Sequence, residues 1–176
     1  MSQDQLKKQF DTNVYGVMNT TRAILPYFRE KKGGMIINTT SMGGLITFPL
    51  YSVYHATKWA LEGFMESLQY ELRPFNIKLK NIEPGAIKTE FESAQQFVSD
   101  KNYEFYTLVT FKNMLDQYKN APNAEVVAKK IWQAANDPSY RLRYPVGGGG
   151  PFFLFLRWLL PLSVFRILVR SQLEKK

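Results

Sequence analysis

The chain has 176 residues, 45% hydrophobic and 22% charged, which is enough for one domain with a real core and excludes a disordered polymer. It holds no cysteine, so disulfides and thiolate chemistry are excluded and a reducing cytoplasm is the expected compartment. The formal charge of +8 is scattered from Lys7 and Lys8 through Lys80 to Lys175 and Lys176, without a helix-turn-helix, zinc-finger or aromatic-basic pattern, so no nucleic-acid partner is expected.

In chain order, Leu6, Phe10, Val14, Val17, Thr21, Ile24 and Leu25 recur at helical steps, and residues 3–29 are predicted as one amphipathic helix. Lys31 to Gly34 carry its stop signals. Met35–Thr39 is a short apolar run, the pattern of a strand buried on both faces, broken by Ser41–Gly44. A second long helix is predicted over Ser52–Leu72, with Ala56, Trp59, Ala60, Phe64, Leu68 and Leu72 facing inward and Glu62, Glu66, Gln69 and Glu71 facing solvent. Ile77–Ile82 is the next strand, and Pro84-Gly85 turns out of it.

Residues 90–121 are polar and aromatic, among them Phe91, Phe97, Tyr103 and Phe105, without strong periodicity. They are predicted as a lid or substrate loop. Asn123 is the expected cap of a helix through Val126, Val127, Ile131 and Ala134, and Tyr140–Val146 is a third strand. Alternation of helix and strand points to an α/β fold with a parallel sheet. The single His55 has no second histidine to share a metal with, so no metal site is expected.

Tyr54 and Lys58 stand four apart, one helical turn, so both project from one face. An ammonium beside a phenol favours the phenolate and brings its pKa towards a range useful for proton transfer. Ser41 lies at the C-terminal end of the first strand, where open parallel sheets bind ligands. A hydroxyl there can reach a carbonyl that the phenol protonates.

The segments Asn38-Thr39-Thr40-Ser41-Met42-Gly43-Gly44, Tyr54-His55-Ala56-Thr57-Lys58-Trp59-Ala60-Leu61-Glu62-Gly63-Phe64 and Pro84-Gly85-Ala86-Ile87-Lys88-Thr89 resemble the short-chain dehydrogenase/reductase family in its single-domain form. Upstream, Phe10-Asp11-Thr12-Asn13-Val14-Tyr15-Gly16 is similar to the family's helix with a catalytic asparagine. The resemblance implies an NAD(P)-dependent oxidoreductase interconverting a carbonyl and a secondary alcohol. In it Tyr54 is the general acid and base, and Lys58 binds the nicotinamide ribose and lowers the Tyr54 pKa. Ser41 orients the substrate carbonyl, and Asn13 holds a water that links Lys58 to solvent. Pro84, Gly85, Ile87 and Thr89 pack on the nicotinamide of NADP or NAD, with Gly85 letting the backbone approach a flat ring.

The resemblance also implies a Rossmann-type, doubly wound sheet of order 3-2-1-4-5-6-7, of which this chain supplies strands 5, 6 and 7. No segment matches the family's glycine-rich pyrophosphate turn, and Gly147–Gly150 is not followed by a capped polar helix. The expectation is therefore a fragment of a longer enzyme, poorly stable and weak in cofactor binding by itself, with strand 5 bare along one edge. A non-catalytic remnant, or a chain complemented by a partner and acting through binding, is the alternative. Residues 1–147 are expected to form the C-terminal part of a Rossmann dehydrogenase domain, and 148–176 an apolar, basic helical extension. In that extension Pro161, Arg157 and Arg166 break the run into two short helices rather than one span. They are expected to cover the cleft or an oligomer interface, with peripheral membrane contact through 151–170 as the second reading. A hydrophobic substrate and a homo-oligomer paired through the helices of Asn13 and Tyr54 complete the expectations.

Overall fold

The computed structural model describes residues 1–91 and 100–173, so Phe97, Lys175 and Lys176 lie outside the described residues. The first helical segment is α1 (Gln3–Phe10), one π-helical turn (Asp11–Tyr15) and α2 (Gly16–Glu30). Ser2 and Gln5 close a capping box at its start, each side chain meeting the other's backbone N–H. The helix predicted over 3–29 is therefore continuous in direction but widened at the turn that carries Asn13, a π insertion of the kind that recurs at functional sites.

The sheet is β1 (Gly34–Thr39), β2 (Ile77–Pro84) and β3 (Arg143–Val146), all parallel, in the order β1-β2-β3. The register pairs Gly34 with Ile77 through to Thr39 with Ile82, and Asn81 with Arg143 through to Pro84 with Val146. Pro84 ends β2 rather than opening the turn; a residue without an N–H is tolerated at a strand end. The third strand is shorter than predicted, starting at Arg143 rather than Tyr140.

Between the strands run α3 (Ser52–Leu72), α4 (Glu104–Tyr118) and α5 (Glu125–Asn136), followed by α6 (Gly150–Leu159) and α7 (Leu162–Leu173). The two faces of β2 meet different helices, as strand alternation requires. Ile77 and Leu79 pack with Met65 and Leu72 of α3, whereas Ile82 packs with Ala134 of α5 and with Tyr144 and Val146 of β3. Central β2 is almost wholly buried, while β1, with one paired neighbour among the described residues, is only half-buried.

Several expectations change here. Residues 104–118 of the proposed loop form α4, whose inner face is thin, with Thr110 and Met114 its buried residues. Its aromatic and β-branched residues are modest helix formers and leave a weak periodic signal. Ala124, not Asn123, is the N-cap of α5, and no side chain caps it; the Asn123 backbone forms an isolated bridge with Lys88. The inward face of α3 runs through His55, Leu61, Glu62, Met65 and Leu72, so Glu62 is buried at 3% exposure while Trp59 is 45% exposed. Lys80, counted among the scattered charges, is buried as well and donates to the Ser139 carbonyl (2.6 Å) and the Tyr144 hydroxyl (2.9 Å).

Candidate active site

At the C-terminal end of the sheet, β1 runs into Thr40 and Ser41, and Ser41 caps a single 3-10 turn, Met42–Gly44. Its Oγ accepts from Gly43 N at 3.0 Å and stands 3.5 Å from the Pro84 carbonyl. This turn lies so close to α3 that a Cβ on Gly44 would fall 2.8 Å from Glu62 Cγ and 2.9 Å from the Lys58 carbonyl oxygen. His55 clamps the same loop. Phe48 N donates to its Nε2 at 2.8 Å, which leaves Nδ1 as the protonated nitrogen, donating to the Gly43 carbonyl at 2.7 Å. Burial holds the His55 pKa below its ordinary value, consistent with that neutral form.

Tyr54 and Lys58 project from the first two turns of α3 towards Ser41. Burial raises the Tyr54 phenol above its ordinary value, and hydrogen bonding with the Ser41 side chain opposes the rise. Lys58 Nζ lies 5.7 Å from the Tyr54 ring centre and donates to the Thr39 carbonyl at 3.4 Å. Burial lowers its pKa, and the Glu62 carboxylate one turn on raises it. Asn13, on the π turn, donates from Nδ2 to Thr57 Oγ1 at 3.1 Å, and Thr57 Oγ1 in turn donates to the Tyr54 carbonyl at 2.7 Å. Asn13 thus touches the backbone register of Tyr54 without lining the cavity.

Ser41, Tyr54, Lys58, Pro84, Gly85, Ile87 and Thr89 all line one cavity of about 550 Å³. What crowds Gly85 is the chain itself: a Cβ would lie 2.9 Å from the Gly147 carbonyl oxygen and 3.0 Å from Met42 Sδ. The Gly147–Gly149 run has positive φ throughout, and Gly148 pairs with Ala86. Its role in the fold is to let the end of β3 fold flat against the Pro84–Ile87 turn. The far wall comes from α4, α5, α6 and α7, through Met114, Ile131, Phe153 and Leu173, together with Phe48 and Phe91. The inner faces of α6 and α7 also pack on Met42 and Ile46.

Sequence reasoning missed the polar core beside this cavity. Glu62 Oε1 accepts from Thr40 Oγ1 at 2.6 Å, and Oε2 accepts from Asn81 Nδ2 at 3.0 Å and Arg143 Nε at 3.3 Å. Arg143 also meets Glu66 Oε2 at 2.7 Å and stands 3.6 Å from Glu83 Oε1. Glu83 is fully buried, and burial beside Glu62 pushes its carboxyl up to about 8. The signal lay in β2 itself, where Asn81 and Glu83 continue the α3-facing alternation of Ile77 and Leu79.

The short chain dehydrogenase profile matches residues 1–98. An uncharacterized oxidoreductase of Schizosaccharomyces pombe is 37% identical over 175 residues, 98% of this chain and 73% of that protein. The crystal structure of a short-chain dehydrogenase from Streptomyces avermitilis matches with a TM-score of 0.75 at 30% identity, over 97% of this chain and 61% of that one. The closed form of serine dehydrogenase complexed with NADP+ matches with a TM-score of 0.67 at 28% identity, over 84% of this chain and 57% of that one. The chain belongs to the short-chain dehydrogenase family of oxidoreductases, and its three parallel strands and their helices are part of that family's Rossmann-type fold. It spans 57–61% of the length of these two solved structures.

Proposed function

We propose that this chain carries the reacting groups of an NAD(P)-dependent oxidoreductase that interconverts a hydrophobic ketone and its secondary alcohol. The observation that supports it is the convergence of Ser41, Tyr54 and Lys58 on one cavity at the C-terminal ends of parallel strands. In the reducing direction the Tyr54 hydroxyl gives its proton to the carbonyl oxygen, and in oxidation the phenolate takes it from the alcohol. The Ser41 hydroxyl donates to the same oxygen and fixes its position. Lys58, charged and half-buried, stabilises the phenolate while it exists, and Asn13 steadies the helix turn below Tyr54 through Thr57.

The pocket fits a nicotinamide riboside. Lys58 has ammonium donors beyond its long contact to Thr39 for ribose hydroxyls, and Pro84, Gly85, Ile87 and Thr89 offer a largely apolar wall with a hydroxyl for a carboxamide. When bound, the cofactor supplies or accepts the hydride. The NADP+ complex of a 28% identical relative supports a nicotinamide dinucleotide; NADP and NAD both fit these residues. Aromatic and aliphatic lining by Phe48, Phe91, Met114, Ile131 and Phe153 supports a hydrophobic substrate.

Two partner readings belong to this proposal. Exposed Tyr15 and Trp59 on the helices of Asn13 and Tyr54 support a homo-oligomer. On α6 and α7 the outward faces carry Phe152, Phe155, Trp158, Val164 and Ile167, flanked by Arg166 and Arg170, which supports peripheral contact with an anionic membrane surface. Among the described residues no helix is long and apolar enough to cross a membrane. The enzymatic reading is tested by following NADPH or NADH oxidation with hydrophobic ketones before and after Tyr54→Phe; turnover that survives the substitution contradicts it.

A further inference from the structure

Glu62 sits one helical turn past Lys58, at 3% exposure, in the polar core rather than in the cavity. An ionised carboxylate so placed is tolerated only when its oxygens are saturated by donors. Its three donors come from three separate elements: Thr40 after β1, Asn81 in β2 and Arg143 in β3. The shortest of them, at 2.6 Å, is to the residue immediately before Ser41, and Thr40 is held from the other side by its N–H on the Ile82 carbonyl at 2.8 Å. Gly43 and Gly44 lack the Cβ atoms that would push this loop off His55 and Glu62.

We propose that Glu62 is a positioning residue of the pocket, pinning the Thr40–Ser41 backbone to the helix of Tyr54 and Lys58 and setting a fixed anion one turn from the Lys58 ammonium. The proposal rests on the reading of Ser41, Tyr54 and Lys58 as the reacting groups. Physically, the two functions are separable. The hydrogen bond to Thr40 is geometric: it fixes where the Ser41 hydroxyl stands relative to the Tyr54 phenol. The charge is electrostatic: it offsets the desolvation that works against a protonated Lys58. The other charged groups around Glu62 are Arg143 from β3, Glu83 from β2 and Glu66 from its own helix. Arg143 balances the buried anion, and Glu66, half-exposed, meets Arg143 without meeting Thr40.

The experiment compares Glu62→Gln, Thr40→Val and Glu66→Gln in the whole chain. The Lys58 titration is read by NMR of 13C-labelled lysine, assigned with Lys58→Met and needing no cofactor, and kcat and KM are measured for reduction of a hydrophobic ketone. Glu62→Gln is expected to lower the Lys58 titration by about half a pH unit or more and kcat by about tenfold or more. Thr40→Val is expected to lower kcat to a similar degree with the Lys58 titration in place, and Glu66→Gln to change neither. An unmoved Lys58 titration in Glu62→Gln, or unchanged kcat in Thr40→Val, overturns the proposal. If Glu62→Gln does not fold, Thr40→Val, which leaves the buried charge intact, still decides the geometric half. Failure of the underlying site reading shows differently, as turnover that survives Tyr54→Phe.

Discussion

Tyr54, Lys58, Glu62 and Glu66 follow one another at four-residue steps along α3, yet the two halves of that stripe live in opposite conditions. Tyr54 and Lys58 look into a cavity walled by aromatic and aliphatic side chains, where, among the described residues, their polar ends meet Ser41 and the Thr39 carbonyl. Glu62 and Glu66 look onto the sheet and are tied to Arg143, with Asn81 and Thr40 completing the Glu62 shell. A polar group left under-bonded in an apolar cavity is available to a ligand, whereas a saturated one holds structure. On the proposed reading, the same helix presents reacting groups at Tyr54 and Lys58 and structural carboxylates at Glu62 and Glu66.

This contrast can be broken most forcefully at Arg143, the cation shared by Glu62, Glu66 and Glu83. Arg143→Met is expected to cost about 2–3 kcal/mol by denaturant melts, somewhat less than breaking a fully buried pair, because Arg143 keeps 36% side-chain exposure. A loss under ~0.5 kcal/mol, typical of surface substitutions, would remove the anchor from the comparison.

A smaller effect is expected from pH. Glu83, with its pKa pushed to about 8 by burial and by Glu62 against the opposing Arg143 and Arg141, keeps its proton in the fold at pH values where an ordinary glutamate near 4.5 has released it. Its contribution is therefore fully present below about pH 4.5 and is lost as pH rises towards 8. The wild-type chain should lose stability over that window with a slope of at most ~1.4 kcal/mol per unit, and Glu83→Gln should flatten the slope. Parallel curves for the two proteins would show that Glu83 is ionised in the fold.

The smallest change in folding and a clear one in binding are expected at Trp158, 79% exposed on α6. Trp158→Ser should leave stability within ~0.5 kcal/mol and weaken sedimentation with phosphatidylserine vesicles. Equal binding of both proteins, or none by either, removes the membrane from the reading of α6 and α7.

The meeting of Tyr54, Lys58 and Ser41 on one cavity was legible in the sequence, because a four-residue spacing and a serine at a strand end are local patterns. The anchoring half was not. Glu62 reads as solvent-facing because a charge on an amphipathic helix ordinarily points outward. Only the three-dimensional meeting of β1, β2 and β3 supplies its donors. Trp59 misleads in the opposite sense, reading as core while lying half-exposed. The helix α4 hides for a third reason: it buries little, and its aromatic and β-branched residues are only modest helix formers, so neither periodicity nor propensity marks it strongly. Only β1 announced itself by a continuous apolar run; in β2, Ile77 and Leu79 alternate with Lys78 and Lys80, and Asn81 and Glu83 carry that alternation into the polar core.

The measurement that bears most directly on the division of α3 is Tyr54→Phe, with turnover of a hydrophobic ketone by NADPH or NADH and the melting temperature taken on the same preparation. Loss of a proton donor of this kind should lower kcat by ~10²–10⁴-fold while the melting temperature stays near that of the wild-type chain. Turnover retained within a factor of about two, against a general acid's expected contribution, would contradict the assignment of Tyr54 and with it the reactive half of the helix.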